Sequence, residues 1–159
     1  MCGIFIAVNL EIGREKIQPR DRKRSYHMDV LVTENDVSAL SHITELIQRL
    51  GHSAEKSETA QGTLDIVREK AFDLIFLDMS LPDMKAQELI EKLKELRSDI
   101  KIVTMTAAST DELEKEIRTL GIVYYMSKPV SENILKDILD LISTQKKNAL
   151  SAGSELNSF

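Results

Sequence analysis

With 159 residues, 42% of them hydrophobic and 30% charged, the chain has the size and composition of one soluble globular domain with short extensions. The formal charge of −5 is uneven: residues 1–28 carry six basic side chains against three acidic ones, a net +3, which leaves −8 on the remainder and argues against a nucleic-acid groove in the main body. The single cysteine, Cys2, excludes an intrachain disulfide, and no apolar run approaches the ~18–20 residues that cross a bilayer, so no membrane partner and a cytoplasmic location are expected.

In chain order, residues 1–28 read as an N-terminal extension. The run Ile4-Phe5-Ile6-Ala7-Val8 is a candidate extra strand, and it is too short, with its basic residues on the wrong side, for a signal peptide. Residues 13–28 form a basic linker in which Arg20 to Arg24 reads as a solvated connector. The opening Met1-Cys2-Gly3-Ile4-Phe5 resembles the start of class II glutamine amidotransferases, but the residues that follow carry the pattern of a different fold.

From Asp29 onward short apolar runs alternate with helical periodicity. Val30-Leu31-Val32 predicts a strand buried on both faces. Leu40, Ile43, Ile47 and Leu50 predict a helix stopped by Gly51. A weaker strand is expected at Ala54 to Ser57, and a short helix around Leu64, Ile66 and Val67. Leu74 to Leu77 is the clearest strand, followed by a helix through Leu89, Ile90, Leu93 and Leu96. A fourth strand runs from Ile100 to Met105, and a fourth helix uses Leu113, Ile117 and Leu120 before Gly121. Ile122 to Met126 predicts the fifth strand; Ile134, Leu135, Ile138, Leu139 and Ile142 predict the fifth helix, with Ser131 as its N-cap. The expected organisation is an α/β domain over residues 29–144, with a doubly wound five-stranded parallel sheet. Residues 145–159, rich in Ser, Asn, Gly and Lys, are expected to be a disordered tail.

A parallel sheet of this kind presents chemistry at the carboxyl ends of its strands. Those ends are Glu34-Asn35-Asp36, then Asp78, then Thr106-Ala107, then Lys128-Pro129. Clustered oxygen donors suit a hard cation such as Mg²⁺. A lysine and a hydroxyl suit phosphoryl oxygens. Together they describe in-line phosphoryl transfer, with the central acid as nucleophile forming an acyl phosphate. Each residue alone has a plainer reading: Asp78 a loop acid, Lys128 a surface lysine, Thr106 a strand-end hydroxyl, Tyr125 a core aromatic, Glu34 a cap for the first helix. It is the combination that points to a site. Met79, Met84, Met105 and Met126 around it read as packing residues, and His27, His42 and His52, without metal-ligand spacing, as surface residues.

Four stretches in register carry a resemblance: Val30 to Asp36, Leu74 to Met84, Val103 to Ala107 and Tyr125 to Pro129. Together they resemble the bacterial two-component response-regulator receiver domain, a single-domain signalling module of flavodoxin-like fold and not a conventional enzyme. The resemblance implies that Asp78 is the phosphoacceptor and that Lys128 pairs with the phosphoryl group. It implies that Thr106, followed by Ala107, is the switch hydroxyl and Tyr125 the switch aromatic. Ser80 matches the position that offers a backbone carbonyl to Mg²⁺, and Glu34 with Asn35 matches the acidic pair that holds the metal. The family usually has a second acid where this chain has Asn35, which is expected to weaken Mg²⁺ binding; Asp36 lies one position late and is expected to point elsewhere. Lys85-Ala86 replaces the usual Asp-Gly after Pro-x-Met. The implied partners are a histidine kinase or histidine phosphotransfer protein and a downstream protein, with a homodimer allowed. The alternative is a pseudo-receiver, an interaction module independent of phosphorylation.

Overall fold

The structure, a computed structural model, describes residues 26–155. Five strands alternate with five helices: β1 (Asp29–Thr33), α1 (Val37–Arg49), β2 (Ser53–Ser57), α2 (Ala60–Glu69), β3 (Leu74–Asp78), α3 (Ala86–Leu96), β4 (Lys101–Thr106), α4 (Asp111–Thr119), β5 (Tyr124–Ser127) and α5 (Glu132–Glu155). The strands form one parallel sheet in the order β2-β1-β3-β4-β5, so the chain winds outward from the centre in both directions. The doubly wound α/β architecture expected from the sequence is the one observed.

The sheet is covered on both faces because its central strands are apolar on both. Val30, Val32, Leu74, Phe76, Val103 and Met105 pack with α1 and α5 on one side. Leu31, Ile75, Leu77, Ile102 and Tyr125 pack with α2, α3 and α4 on the other. β3 is buried at all five positions, from Leu74 to Asp78. Its last residue is an acid, so the most deeply buried strand delivers a carboxylate to the sheet edge.

The helix ends follow local chemistry. The Asp36 side chain accepts from the Ala39 N–H at 2.8 Å and caps α1, so Asp36, not Glu34, is the cap. Thr59 caps α2 and Thr110 caps α4. Gly51 and Gly121 take φ of 91° and 76°, a conformation that disfavours residues with a Cβ, and end α1 and α4. β5 begins at Tyr124, two residues later than expected, because Gly121 and Ile122 are still in the turn and Val123 enters by donating its N–H to the Ile102 carbonyl at 2.8 Å.

The expected extra strand at Ile4 to Val8 and most of the basic linker lie outside the described residues. The linker expected up to Met28 ends sooner, since Met28 is fully buried beneath the sheet. Of the tail expected over residues 145–159, residues 145–155 are helical, since α5 continues to Glu155, and the rest lies outside the described residues. Lys146, Lys147, Ala149, Leu150 and Ala152 are good helix formers. Among the described residues no helix is long and apolar enough to cross a membrane.

Candidate functional site

Three of the expected side chains meet at the carboxyl edge of the sheet. Glu34 follows β1, Asp78 ends β3, and Lys128 follows β5. The Lys128 Nζ donates to Glu34 Oε2 at 2.5 Å and lies 3.0 Å from Asp78 Oδ1. Glu34 and Asp78 are each 1% exposed, while Lys128 is partly open to solvent. Sheet geometry makes this convergence possible: β1 and β4 flank β3, and β5 lies beyond β4.

Each group is oriented by backbone. The Asp36 N–H donates to Glu34 Oε1 at 3.1 Å, so both Glu34 oxygens are engaged. The Ser80 N–H donates to Asp78 Oδ1 at 3.1 Å, which folds the loop after β3 over the acid. The Lys128 N–H donates to the Thr106 carbonyl at 2.7 Å, and the Lys128-Pro129 peptide bond is cis.

Burial raises the Glu34 carboxyl above its usual range and the Asp78 charge adds to this, while the Lys128 and Asp36 hydrogen bonds act in the opposite sense. Burial alone would lower the Lys128 ammonium, but its bonds to Glu34 and Asp78 prevail and hold it above the usual lysine range. Two buried carboxylates thus share one ammonium. Such an arrangement is a poor way to gain stability, because desolvation offsets much of the attraction. A buried acid shifted by desolvation and by a neighbouring charge, as Glu34 is, is a mark of functional sites.

The other expected residues stand differently. Asn35 and Ala107 are exposed, next to Glu34 and Thr106 respectively. The Thr106 hydroxyl is turned into its own loop: it donates to the Ala108 carbonyl at 3.0 Å and accepts from the Ala108 N–H at 3.2 Å, so it is not on Asp78. Tyr125 is 7% exposed, and among the described residues its hydroxyl and that of Thr104 are buried without a hydrogen-bond partner. Met105 and Met126 are core residues, and Met79 and Met84 pack against the core.

Two residues had no signal in the local sequence. His52, expected at the surface, is 4% exposed and its Nδ1 accepts from the Met28 N–H at 3.3 Å. Asp83 reaches from the loop after β3 to the backbone of α2, 22 and 23 residues earlier. Neither partner lies within a local motif's reach.

Donor chemistry at the edge fits a hard divalent cation in kind: two buried carboxylates that share a single ammonium, with oxygen ligands only. Among the described residues no third His, Cys, Asp or Glu joins them in a metal-holding group.

Residues 30–140, more than half of the chain, match the model of the response regulator receiver domain. The chain belongs to that family. It is a receiver of two-component, phosphorelay signalling. The receiver is 30% identical over 113 residues to the transcriptional regulatory protein ZraR of Salmonella typhimurium, covering 71% of this chain and 26% of that protein. It is 24% identical over 119 residues to sporulation initiation phosphotransferase F of Bacillus subtilis, covering 75% of this chain and 96% of that one. Among solved structures, a CheY-like response regulator receiver domain protein from Methanospirillum hungatei superimposes with a TM-score of 0.70 at 27% identity, covering 76% of this chain and 97% of its own. The chain spans about a quarter of the length of the ZraR regulators it matches.

Proposed function

We propose that Asp78 is the phosphoacceptor of this receiver and that transfer to it depends on Mg²⁺. The observation that carries this reading is the Lys128 ammonium, held 3.0 Å from Asp78 Oδ1 and bonded to Glu34 at the mouth of the sheet. A phosphoryl group arriving at Asp78 meets a fixed positive charge there, which suits a reaction catalysed by positioning and charge neutralisation.

The donor is a phosphohistidine of a histidine kinase or phosphotransfer protein. The P–N bond breaks, a P–O bond forms to an Asp78 carboxylate oxygen, and the histidine nitrogen keeps the electron pair and takes up a proton. When bound, Mg²⁺ supplies charge neutralisation for the phosphoryl oxygens. Glu34, Asp78, the Asn35 amide oxygen and the Ser80 backbone carbonyl would hold it. Asn35 lowers the negative charge of that set by one relative to the usual two-acid pattern. The aspartyl phosphate adds about −1.5 to −2 of charge. Thr106 exchanges its own-loop bonds for a phosphoryl oxygen, Tyr125 and Ala107 adjust, and output passes to another protein through the altered surface.

The test is incubation with acetyl phosphate and Mg²⁺ followed by intact mass measurement. A phosphate adduct on the wild type that Asp78→Asn lacks is the expected result. No adduct at saturating Mg²⁺, with the fold intact, would leave an interaction module independent of phosphorylation.

A further inference from the structure

The loop between β3 and α3, residues 79–85, carries Ser80, whose N–H already bonds Asp78 Oδ1. The two ends of this loop are held unequally. At the β3 end, the Met79 N–H donates to the Met105 carbonyl at 2.9 Å and Ser80 is tied to Asp78. At the α3 end, Lys85 stands at the N-cap position and makes no side-chain cap bond, so the usual device that fixes a loop to the start of its helix is missing.

Asp83 supplies a different anchor. Its Oδ1 accepts from the Ala60 N–H at 3.0 Å and its Oδ2 from the Gln61 N–H at 2.9 Å. These are the first two residues of α2, where unpaired N–H groups and the positive end of the helix dipole favour a carboxylate. The anchor is itself rigid. Thr59 Oγ1 accepts from the Gly62 N–H at 3.0 Å, and the buried Thr63 hydroxyl bonds that of Thr33 in β1 at 2.7 Å. A Cβ on Gly62 would come within 2.9 Å of Thr59 Oγ1 and 3.0 Å of Ser57 Oγ, so this turn has no slack. A continuous path thus runs from β1 through α2 and Asp83 to the loop that bears Ser80.

We infer that Asp83 is a positioning residue of the phosphoacceptor site: by bridging to the N-terminus of α2 it holds the Ser80 segment in register with Asp78, in place of the missing cap on α3. This rests on the reading of Asp78 and Mg²⁺ above.

The test uses the full chain as wild type, Asp83→Ala, Asp83→Asn and Asp65→Ala. Asp65→Ala removes a negative charge from the exposed face of the same helix without touching its first N–H groups or the loop. Two quantities are measured: the Mg²⁺ concentration that half-saturates phosphate uptake from acetyl phosphate, and amide hydrogen exchange of residues 79–85 without metal. In Asp83→Ala half-saturation rises about fivefold, the factor corresponding to a lost N-cap of ordinary strength, with the maximal rate within about twofold of wild type. Asp83→Asn, which keeps an acceptor oxygen, falls between the two. Exchange in the loop quickens in Asp83→Ala. Asp65→Ala leaves both the Mg²⁺ dependence and the loop as in wild type. Unchanged loop exchange in Asp83→Ala, or the same Mg²⁺ shift in Asp65→Ala, would overturn the inference. A wild type that takes up no phosphate would instead overturn the function proposed above, and the exchange measurement would still decide whether Asp83 holds the loop.

Discussion

The two edges of the sheet handle charge in opposite ways. At the amino edge, Asp73 Oδ2 accepts from the Asp29 N–H and from Lys146 Nζ, both at 2.8 Å, and Lys146 lies 5.1 Å from the centre of the Tyr26 ring. Both ring nitrogens of His27 are bonded, to the Gly51 carbonyl and the Ser53 hydroxyl, each at 2.9 Å. One acid meets one ammonium there. At the carboxyl edge two nearly inaccessible acids meet one ammonium. Local balance closes the amino edge and contributes to stability. Two acids against one ammonium leave the carboxyl edge with an excess of negative charge, in keeping with the metal-dependent role proposed for it.

The largest expected effect comes from removing the shared cation. Lys128→Ala leaves Glu34 and Asp78 facing each other without a counter-charge, and the cost is about 3 kcal/mol of folding stability, read as the urea midpoint at neutral pH. Phosphate uptake is lost with it. A stability loss well under 1 kcal/mol would mean that the ammonium is not what holds the two acids together. At the other edge, Asp73→Ala frees the Asp29 N–H and Lys146, and about 2 kcal/mol is lost in the same assay with uptake unchanged. Loss of uptake in that variant would erase the contrast between the edges.

Smaller effects sharpen the same contrast. Asn35→Asp adds a third acid beside Glu34 and lowers the Mg²⁺ needed for half-maximal uptake by about three- to tenfold. Unchanged metal dependence would show that residue 35 does not contact the ion. The smallest effect belongs to His52. Burial first, and the His27 charge second, hold its imidazole below the ordinary 6.5. The unfolded chain therefore binds this proton more readily than the folded one, so the His52 contribution is complete above 6.5 and declines as the pH falls below it. His52→Asn flattens that part of the stability profile in urea titrations between about pH 5.5 and 7.5. An identical slope in the variant would place the titrating group elsewhere.

Much of this contrast was written locally in the sequence. The continuous run Leu74 to Leu77 before Asp78 announces a buried strand that ends in an acid, and the helical spacing of Leu40, Ile43 and Ile47 announces its cover. The glycines at 51 and 121 are legible because their backbone conformation disfavours a side chain. What was not legible is non-local. Lys128 bonds Glu34 across 94 positions, and no spacing rule foretells that one ammonium bridges both acids. His52 is buried because β1 begins above it, although its neighbours Gly51 and Ser53 suggest a surface turn. α5 continues past residue 144 because helix propensity outweighs a polar composition that resembles a disordered tail. The Thr106 hydroxyl is at the expected edge, but its bonds to Ala108 depend on a loop conformation that composition does not determine.

Whether Asp78 receives the phosphoryl group is decided by locating the phosphate. The chain is treated with acetyl phosphate and Mg²⁺, the acyl phosphate is reduced with borohydride, and the peptides are mapped by mass. A single reduced residue is expected at Asp78, dependent on Mg²⁺ and lost in Lys128→Ala. A modification at another carboxylate, or a labelled Asp78 that is indifferent to both Mg²⁺ and Lys128, would contradict that assignment.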